Sequence, residues 1–498
     1  MKPQPTQPAA SQRLLSLDAL RGFDMLFIMG FAGLVTALCK LCPGEFSDWM
    51  TAQMGHADWN GFFHHDTIFP LFLFIAGISF PFSLAKQREK GMSERSIYLK
   101  VIRRGLTLVA LGFVYSGLFK LDFATLRLPS VLGRIGLAWM FAALLFVNFN
   151  VRTRAVIAAA ILLGYGLLLQ FVAAPDAGGA GPLTLEGNIV GYVDRIVMPS
   201  HLLGGRGFDP EGLLSTLPAI VTAMLGMFTG EFVRRSEERT SGSRKTLWMA
   251  AGAVALLALA LCLDPLQPIN KKLWTPAFVF AAGAYSLGMF ALFYYIIDVC
   301  QWRRWSYFFK VIGVNSITIY MVQRIVRVSY TSEFFFGGLA SKLSPEAAAV
   351  VLSAGYVAVC WLLLWFLDRK KDIPQDLTVP PMTGRRIRKV RLFSCHGNRK
   401  RPTIENYLSN FNKYYLFFKN CFVCLQCRKQ KRHPMEIEKV IRILTVFLVV
   451  AAFAVKVATH LLVPQSPYGF NLPIAIGLLL CLTNIWRKTG KQEENSNE

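Results

Sequence analysis

The stretch TIFPLFLFIAGISFPFSLA, residues 67–85, decides the fold of this chain. It contains no charged side chain, and about 20 apolar residues in a helix cross the hydrocarbon core of a bilayer. Similar runs recur along the sequence, which is 53% hydrophobic and only 17% charged, whereas soluble proteins are about 25% charged. The composition argues against a simple soluble enzyme and predicts a polytopic protein embedded in a lipid bilayer.

We predict an all-α, polytopic membrane helical bundle with about ten core transmembrane helices. The predicted spans are residues 23–39, 67–85, 105–119, 132–149, 155–173, 213–233, 247–263, 275–299, 311–326 and 346–367. The loops on the side of the N-terminus hold twenty Lys and Arg residues, and the opposite loops hold nine. Because cytoplasmic loops carry the excess of basic residues, we expect a multi-pass protein of the inner (cell) membrane with a cytoplasmic N-terminus.

The chain divides into three predicted regions. Residues 1–374 form the transmembrane domain, 375–434 a basic, Cys-containing linker or disordered segment, and 435–498 a two-helix membrane module that arises by fusion or read-through. Fourteen Lys and Arg residues stand against one acidic residue between Arg385 and Pro434. This basic stretch has no recognisable nucleic-acid-binding fold and follows a membrane domain, so we expect no nucleic-acid partner.

The segment GHADWNGFFHHD, residues 55–66, directly precedes the first quoted run and places six polar or ionisable side chains at a membrane interface. Asp66 suits the start of a helix, where its carboxylate accepts backbone N–H groups. A metal site of His64, His65 and Asp66 is disfavoured, because adjacent helical residues point about 100° apart and no third imidazole or thiolate has ligand spacing. We therefore expect no metal.

Two further segments carry polar groups near predicted spans. FDPEGLLST, residues 208–216, predicts a helix start with Asp209 as its cap and Pro210 in its first position. Whether Glu211 also faces a site stays open. In PINKKLW, residues 268–274, the two lysines depart from the positive-inside pattern, so this segment is either an interface anchor or part of a site.

Seven ordered segments resemble the heparan-α-glucosaminide N-acetyltransferase family and its bacterial relatives. They are SLDALRG (16–22), GHADWNGFFHHDTIFPLFLFIAGIS (55–79), RLPSVLGRIG (127–136), GYVDR (191–195), DPEGLLST (209–216), PINKKLW (268–274) and GVNSITIY (313–320). The resemblance covers about three quarters of the chain. It implies acetyl transfer across a membrane, from cytoplasmic acetyl-CoA to an amino sugar or related glycan acceptor on the extracytoplasmic side.

The resemblance identifies His56 with the active-site histidine of the family. An amine acceptor loses a proton as it attacks a thioester, and an imidazole that titrates near pH 6.5 is suited to take it. We expect His56 to act as a general base or as an acetyl carrier, with Asp58 or Asp66 orienting its ring. This chain has Gln323 where eukaryotic members have a second histidine, so no role of that histidine carries over.

The remaining site residues are grouped by the molecule they are expected to bind. The candidates for the acceptor are Asn60, Asp209, Glu211, Asn270, Lys271 and Asn315. The candidates for the phosphates of acetyl-CoA are Arg103, Arg104 and Arg134, with membrane anchoring as an alternative role. The sequence leaves a homodimer open. A secondary transporter of a small solute, or a non-catalytic scaffold, are the alternative functions.

Overall fold

The computed structural model describes residues 14–203, 207–234 and 241–371. The predicted linker at 375–434 and the two-helix module at 435–498 lie outside the described residues. Within them the chain is helical, with a single isolated β-bridge between Ala173 and Asn188. The predicted fold class is confirmed, because the chain is a polytopic helical membrane protein.

The described residues form fourteen α-helices, of which those that cross the membrane are long and most of those that connect them are short. In chain order they are α1 (Leu15–Leu41), α2 (Glu45–Gln53), α3 (His64–Glu89), α4 (Glu94–Ser116), α5 (Val131–Asn148), α6 (Val151–Phe171), α7 (Ile189–Val197), α8 (Thr216–Val233), α9 (Gly242–Leu263), α10 (Pro276–Val299), α11 (Ser306–Val314), α12 (Ser316–Ile325), α13 (Val328–Ala340) and α14 (Pro345–Lys371).

Eight of these helices in the described residues are long and apolar enough to cross a membrane, namely α1, α3, α5, α6, α8, α9, α10 and α14. They match eight of the ten predicted spans. The ninth, 105–119, lies largely in the second half of α4, whose first half carries five charged side chains. The tenth, 311–326, is interrupted at Asn315, where α11 ends and α12 begins.

Helices α3 and α8 pack backbone against backbone. A β-carbon added to Gly77 of α3 would lie 2.2 Å from the carbonyl oxygen of Ala223. A β-carbon on Gly226 or Gly230 of α8 would come equally close to the carbonyl oxygens of α3. We call Gly77, Gly226 and Gly230 the glycine seam. Small residues let membrane helices approach closely and gain dispersion contacts.

The first span is not a uniform α-helix. Residues Phe27–Phe31 form a π-helical turn that contains Gly30 at φ 118°, a conformation that favours glycine. Such turns leave backbone carbonyls without their usual partner. The amide of Gln323 in α12 donates to the carbonyl of Ile28 at 3.4 Å and to the hydroxyl of Tyr356 in α14 at 3.0 Å. One side chain thereby connects three helices.

The helix predicted to begin at Pro210 begins later than expected. The described helix is α8, which starts at Thr216 after Ser215. Asp209 does not cap it, because its carboxylate is bound by Arg127 instead. The prediction of Asp209 as a helix cap is therefore wrong, and the segment before α8 is a turn held by a distant arginine.

Candidate active site

The loop between α2 and α3 is fixed to two distant segments before it reaches α3. The N–H of Gly61 donates to the carbonyl of Ile269 at 2.9 Å, and the amide of Asn270 donates to Asn60 Oδ1 at 3.0 Å. The indole of Trp59 donates to the carbonyl of Leu183 at 2.8 Å. These bonds give the loop a defined position over the start of α3.

Asp66, in the first turn of α3, forms the centre of a polar cluster. Its Oδ2 accepts from the backbone N–H groups of Phe63 at 3.1 Å and Ala57 at 3.3 Å. Its Oδ1 lies 2.8 Å from Nδ1 of His56. One carboxylate oxygen of Asp66 therefore lies at the helix start and the other lies beside His56, which are the two positions considered for it from sequence.

His56 combines a buried partner with an accessible ring. The Asp66 side chain is only 1% exposed, whereas that of His56 is 52% exposed. When Nδ1–H donates to Asp66, the neutral ring presents the lone pair of Nε2. A carboxylate in this position favours the Nδ1–H tautomer and stabilises the imidazolium that forms when Nε2 takes a proton.

Lys271 completes the cluster from the loop between α9 and α10. Its Nζ lies 3.3 Å from Asp66 Oδ1 and 3.0 Å from His56 Nδ1. Burial lowers the pKa of Lys271 below its ordinary value, although the negative charges of Asp66 and Glu211 oppose that effect. The structure thus brings together His56, Asp66 and Lys271, which are far apart in sequence.

Two more histidines line the start of α3. The ring of His65 meets that of His56 edge to face, with centroids 4.7 Å apart. The ring of His64 packs against Phe27 at 4.4 Å and Tyr285 at 6.0 Å. Nδ1 of both His64 and His65 is buried without a hydrogen-bond partner among the described residues. His65 therefore shapes the surroundings of His56, while His64 belongs to the helix packing.

Asp58 does not orient the ring of His56. Its side chain is exposed, and its backbone carbonyl accepts from Nζ of Lys272. That ammonium also lies 5.8 Å from the centre of the Trp59 ring. Of the two carboxylates considered for the orienting role, the structure places only Asp66 against His56.

A second ionic cluster surrounds Arg127. This guanidinium donates through Nε to Asp209 Oδ2 at 2.8 Å and through Nη2 to Asp209 Oδ1 at 2.6 Å, and it also contacts Glu211. Burial lowers the pKa of Arg127, but the bonds to Asp209 and the charge of Glu211 outweigh it and raise the pKa above its ordinary range. Burial raises the pKa of Asp209, but the bonds from Arg127 outweigh it and hold the pKa below its usual value.

Arg134 is more deeply buried than Arg103 and Arg104, the two arginines with which it was grouped. It is 2% exposed, and its Nη2 donates to the carbonyl of Gly212 at 3.1 Å and to the hydroxyl of Ser215. Its guanidinium also lies 5.1 Å from the Trp274 ring. Arg103 is exposed on α4, and Arg104 stacks on Trp139 at 4.3 Å.

The predicted asparagines separate into two locations. Asn60 and Asn270 bind each other beneath the His56 loop, and Asn270 Oδ1 also accepts from the N–H of Leu273 at 2.9 Å. Asn315 lies at the break between α11 and α12, where its amide donates to the carbonyl of Val311 at 3.0 Å. Only the first two therefore stand beside the His56 cluster.

Sequence reasoning did not single out Arg127 or the ring contact of His65. Arg127 stands in the segment RLPSVLGRIG as the one cation before a predicted span, but its carboxylate partners lie 82 and 84 positions away. No local spacing reveals such a pair. His65 was visible in the sequence only as the neighbour of His64. A position next to another histidine on a helix does not predict a contact with the loop residue His56.

Comparison with known proteins gives two related enzymes. No family model matches the sequence. The chain is 24% identical over 409 residues to the heparan-alpha-glucosaminide N-acetyltransferase of Homo sapiens, covering 71% of this chain and 59% of that protein. It is 23% identical over 410 residues to the protein of the same name from Mus musculus, covering 72% and 60%. The match thus spans about three fifths of each relative's length. These similarities place the chain in a family-level relationship with the heparan-alpha-glucosaminide N-acetyltransferases.

Proposed function

We propose that this protein is a transmembrane N-acetyltransferase that moves the acetyl group of cytoplasmic acetyl-CoA to the amino group of an amino sugar or related glycan on the extracytoplasmic side. The single observation that carries the proposal is the pair formed by the half-exposed His56 and the buried Asp66, 2.8 Å apart. The two related enzymes named as N-acetyltransferases support the reaction type.

The chemistry follows from this pair in either of two ways. As a general base, His56 Nε2 takes the proton of the attacking amine while the new C–N bond forms and the C–S bond of the thioester breaks. As an acetyl carrier, Nε2 attacks the thioester first and CoA leaves as the thiolate. The amine then attacks the acetyl group, the bond between Nε2 and the acetyl carbon breaks, and the released imidazole takes the proton of the amine. In both routes Asp66 stabilises the positive charge on the imidazole.

The groups around His56 suit a polar acceptor. Lys271 places an ammonium beside the carboxylate, where a positive charge stabilises the oxyanion that develops on the attacked carbonyl. Glu211 acts electrostatically on Lys271, and its side chain is 12% exposed. Although Glu211 also contacts Arg127, its partly accessible carboxylate would attract the protonated amine of an arriving amino sugar.

The proposal is tested with membrane vesicles that contain the full chain. Radiolabelled acetyl-CoA is supplied on one face, and glucosamine, galactosamine and mannosamine are supplied on the other. N-Acetylglucosamine, whose nitrogen is already acylated, serves as the blocked acceptor. We expect label in a free amino sugar only, and only when acetyl-CoA faces the side of the basic loops.

Three outcomes of this assay are informative. Absence of label in every sugar, with the chain folded, contradicts acetyl transfer to amino sugars. Transfer that requires acetyl-CoA and the sugar on the same face contradicts the transmembrane route. Loss of transfer in His56→Ala, with retention in His201→Ala, supports the site, since His201 lies in a different loop and binds the carbonyl of Leu126.

A secondary transporter is the second candidate, because one observation favours it. The interrupted span α1, with Gly30 at φ 118°, packs beside the pair α11 and α12, which is broken at Asn315. Adjacent discontinuous helices are common at the binding sites of transporters. Uptake of an unmodified sugar into vesicles without acetyl-CoA would favour this candidate over the enzyme.

A further inference from the structure

A cavity of about 590 Å³ opens at the end of the bundle where α3 finishes. Its walls are formed by the last turns of α3 and α8, the turn between α5 and α6, and the start of α6. Its apolar lining residues include Phe146 and Pro81. Its charged lining residues are the arginines 88, 154 and 234 and the glutamates 89 and 231. This cavity lies at the opposite end of α3 from His56.

Arg154 is the most deeply buried of the three arginines that line this cavity. It is 5% exposed, and its Nη2 donates to Glu231 at 2.8 Å. Its Nε and Nη1 are buried without a hydrogen-bond partner among the described residues. Its guanidinium also stacks on the Phe146 ring at 4.0 Å. A buried donor without an acceptor costs free energy. Arg154 thus lines the cavity with a guanidinium that lacks part of its hydrogen bonding.

The surroundings favour an anion with oxygen acceptors. Helix α6 begins at this cavity, and Asn150 caps it through the N–H of Thr153. The positive end of the helix dipole therefore points at the same space. Arg234 lies at the rim and is exposed. Arg88 is half exposed and forms an ion pair with Glu94, in which Nε of Arg88 lies 3.0 Å from Oε1 of Glu94.

We infer that this cavity binds the phosphate group of an anionic ligand, with Arg154 as the buried donor and Arg234 as the donor at the rim. Arginine is suited to phosphate because its N–H groups are planar, always charged and weakly hydrated. Two sources share this chemistry, the CoA part of the acyl donor and the headgroup of a phospholipid. The CoA source rests on the proposed function, whereas the phospholipid source does not.

The position of the cavity suits either source. Three of the loops that are rich in Lys and Arg, at 86–104, 151–154 and 234–245, begin or end at its rim. Anionic headgroups and cytoplasmic CoA both reach the membrane on the side of basic loops. None of the arginines assigned to CoA from sequence, at positions 103, 104 and 134, lines this cavity.

The test measures binding, so it does not depend on turnover. The full chain, purified in detergent, is titrated with CoA and with pantetheine, which lacks the phosphates. Co-purified phospholipid is measured by native mass spectrometry in parallel. The variants are Arg154→Gln and Arg234→Gln. The matched control is Arg152→Gln, since Arg152 lies two residues earlier on α6, is exposed and does not line the cavity.

We expect Arg154→Gln to weaken the binding of CoA at least tenfold, or to remove the bound phospholipid, while Arg152→Gln changes neither. Arg234→Gln, at an exposed position, causes a smaller loss of CoA or phospholipid binding. This variant keeps the test valid when Arg154→Gln does not fold. A loss of CoA binding identifies the acyl donor as the ligand of the cavity. A loss of bound phospholipid alone identifies a lipid headgroup as the ligand. Unchanged CoA and lipid binding in both variants overturns the inference. Retained binding without acetyl transfer contradicts only the proposed function.

Discussion

Asp66 and Asp209 are two buried carboxylates with nearly the same surroundings and different partners. Their side chains are 1% and 0% exposed. Asp66 accepts from the N–H groups of Phe63 and Ala57, and Asp209 likewise accepts from two backbone N–H groups. The difference is the partner, because Asp66 binds an accessible imidazole as well as the Lys271 ammonium, whereas Asp209 binds a guanidinium.

Under the proposed function, this difference separates a pair that takes part in catalysis from a pair that stabilises the fold. An imidazole gains and loses a proton near neutral pH, so a carboxylate behind it changes its chemistry. A guanidinium stays protonated in proteins, so a carboxylate beside it contributes position and charge but no proton transfer. The two clusters predict opposite responses to substitution, with activity lost at the first and stability lost at the second.

The largest effect is expected at the reactive cluster. His56→Ala should lower turnover by about 100-fold or more, the usual loss for a general acid–base group, with little change in thermal stability because the ring is half exposed. The measurement is radiolabelled acetyl transfer, together with the unfolding temperature. His201→Ala is the control. Normal turnover in His56→Ala would remove His56 from the mechanism.

The next effect is expected at the structural cluster. Arg127→Gln leaves Asp209 buried without its cation, and breaking such a pair costs about 3 kcal/mol. We expect a clear fall in the unfolding temperature in detergent, with turnover per folded molecule within a few-fold of wild type. Arg152→Gln, at an exposed position on α6, is the matched control. A large loss of turnover without a loss of stability would move Arg127 into the active site.

A smaller effect is expected for Asp66→Asn. The amide keeps an oxygen for the backbone donors of the loop but removes the negative charge behind His56. We expect turnover to fall about tenfold, because the imidazolium loses roughly one charge-assisted hydrogen bond. The apparent KM for acetyl-CoA should stay near that of wild type. A change confined to KM would indicate a binding role instead of an orienting one.

The smallest effect concerns Asp194, which lies near Asp209 but has no cation bound to it in the described residues. Burial raises the pKa of Asp194, the N–H of Leu213 opposes this effect and the charge of Asp209 adds to it, so that the pKa is about 6 in all. Because the pKa of Asp194 is raised in the folded state, the protonated carboxyl stabilises the fold. This contribution to the free energy of unfolding is fully present below about pH 4 and is lost as the pH rises through about 6.

The free energy of unfolding of Asp194→Asn should therefore rise by about 1 kcal/mol relative to that of wild type between pH 4 and pH 7.5. The amide oxygen can still accept from Leu213, which donates to Asp194 Oδ1 at 2.9 Å. The measurement is the unfolding temperature of both proteins across that pH range. If the unfolding temperatures of the two proteins change with pH in parallel, Asp194 does not titrate within that pH range.

The spans were predictable because hydropathy is a local property. The run at 67–85 needs no partner to show that it is a membrane helix. The break at Asn315 was not predictable, because residues 311–326 are apolar on both sides of it. Similarly, DPEG at 209–212 satisfies the local pattern for a helix start, and only the bonds from Arg127 show that the carboxylate is used elsewhere.

The candidate site was predictable in its residues but not in its connections. His56, Asp66 and Lys271 were all named from sequence, yet either Asp58 or Asp66 fitted the orienting role. The choice depends on which carboxylate is buried under the ring, and burial is a tertiary property. The contact of Lys271 with His56 spans 215 positions and has no signature in the local sequence.

The glycine seam between α3 and α8 has a mechanical consequence. With Gly77, Gly226 and Gly230 each facing a backbone carbonyl, no side chain separates the two helices at these points. A rotation of one helix against the other would drive carbonyl oxygens into Cα atoms, so we expect both to behave as a single stiff rod. His56 is anchored at one end of this rod and the arginine-lined cavity lies at its other end, which makes the distance between them a fixed dimension of the protein.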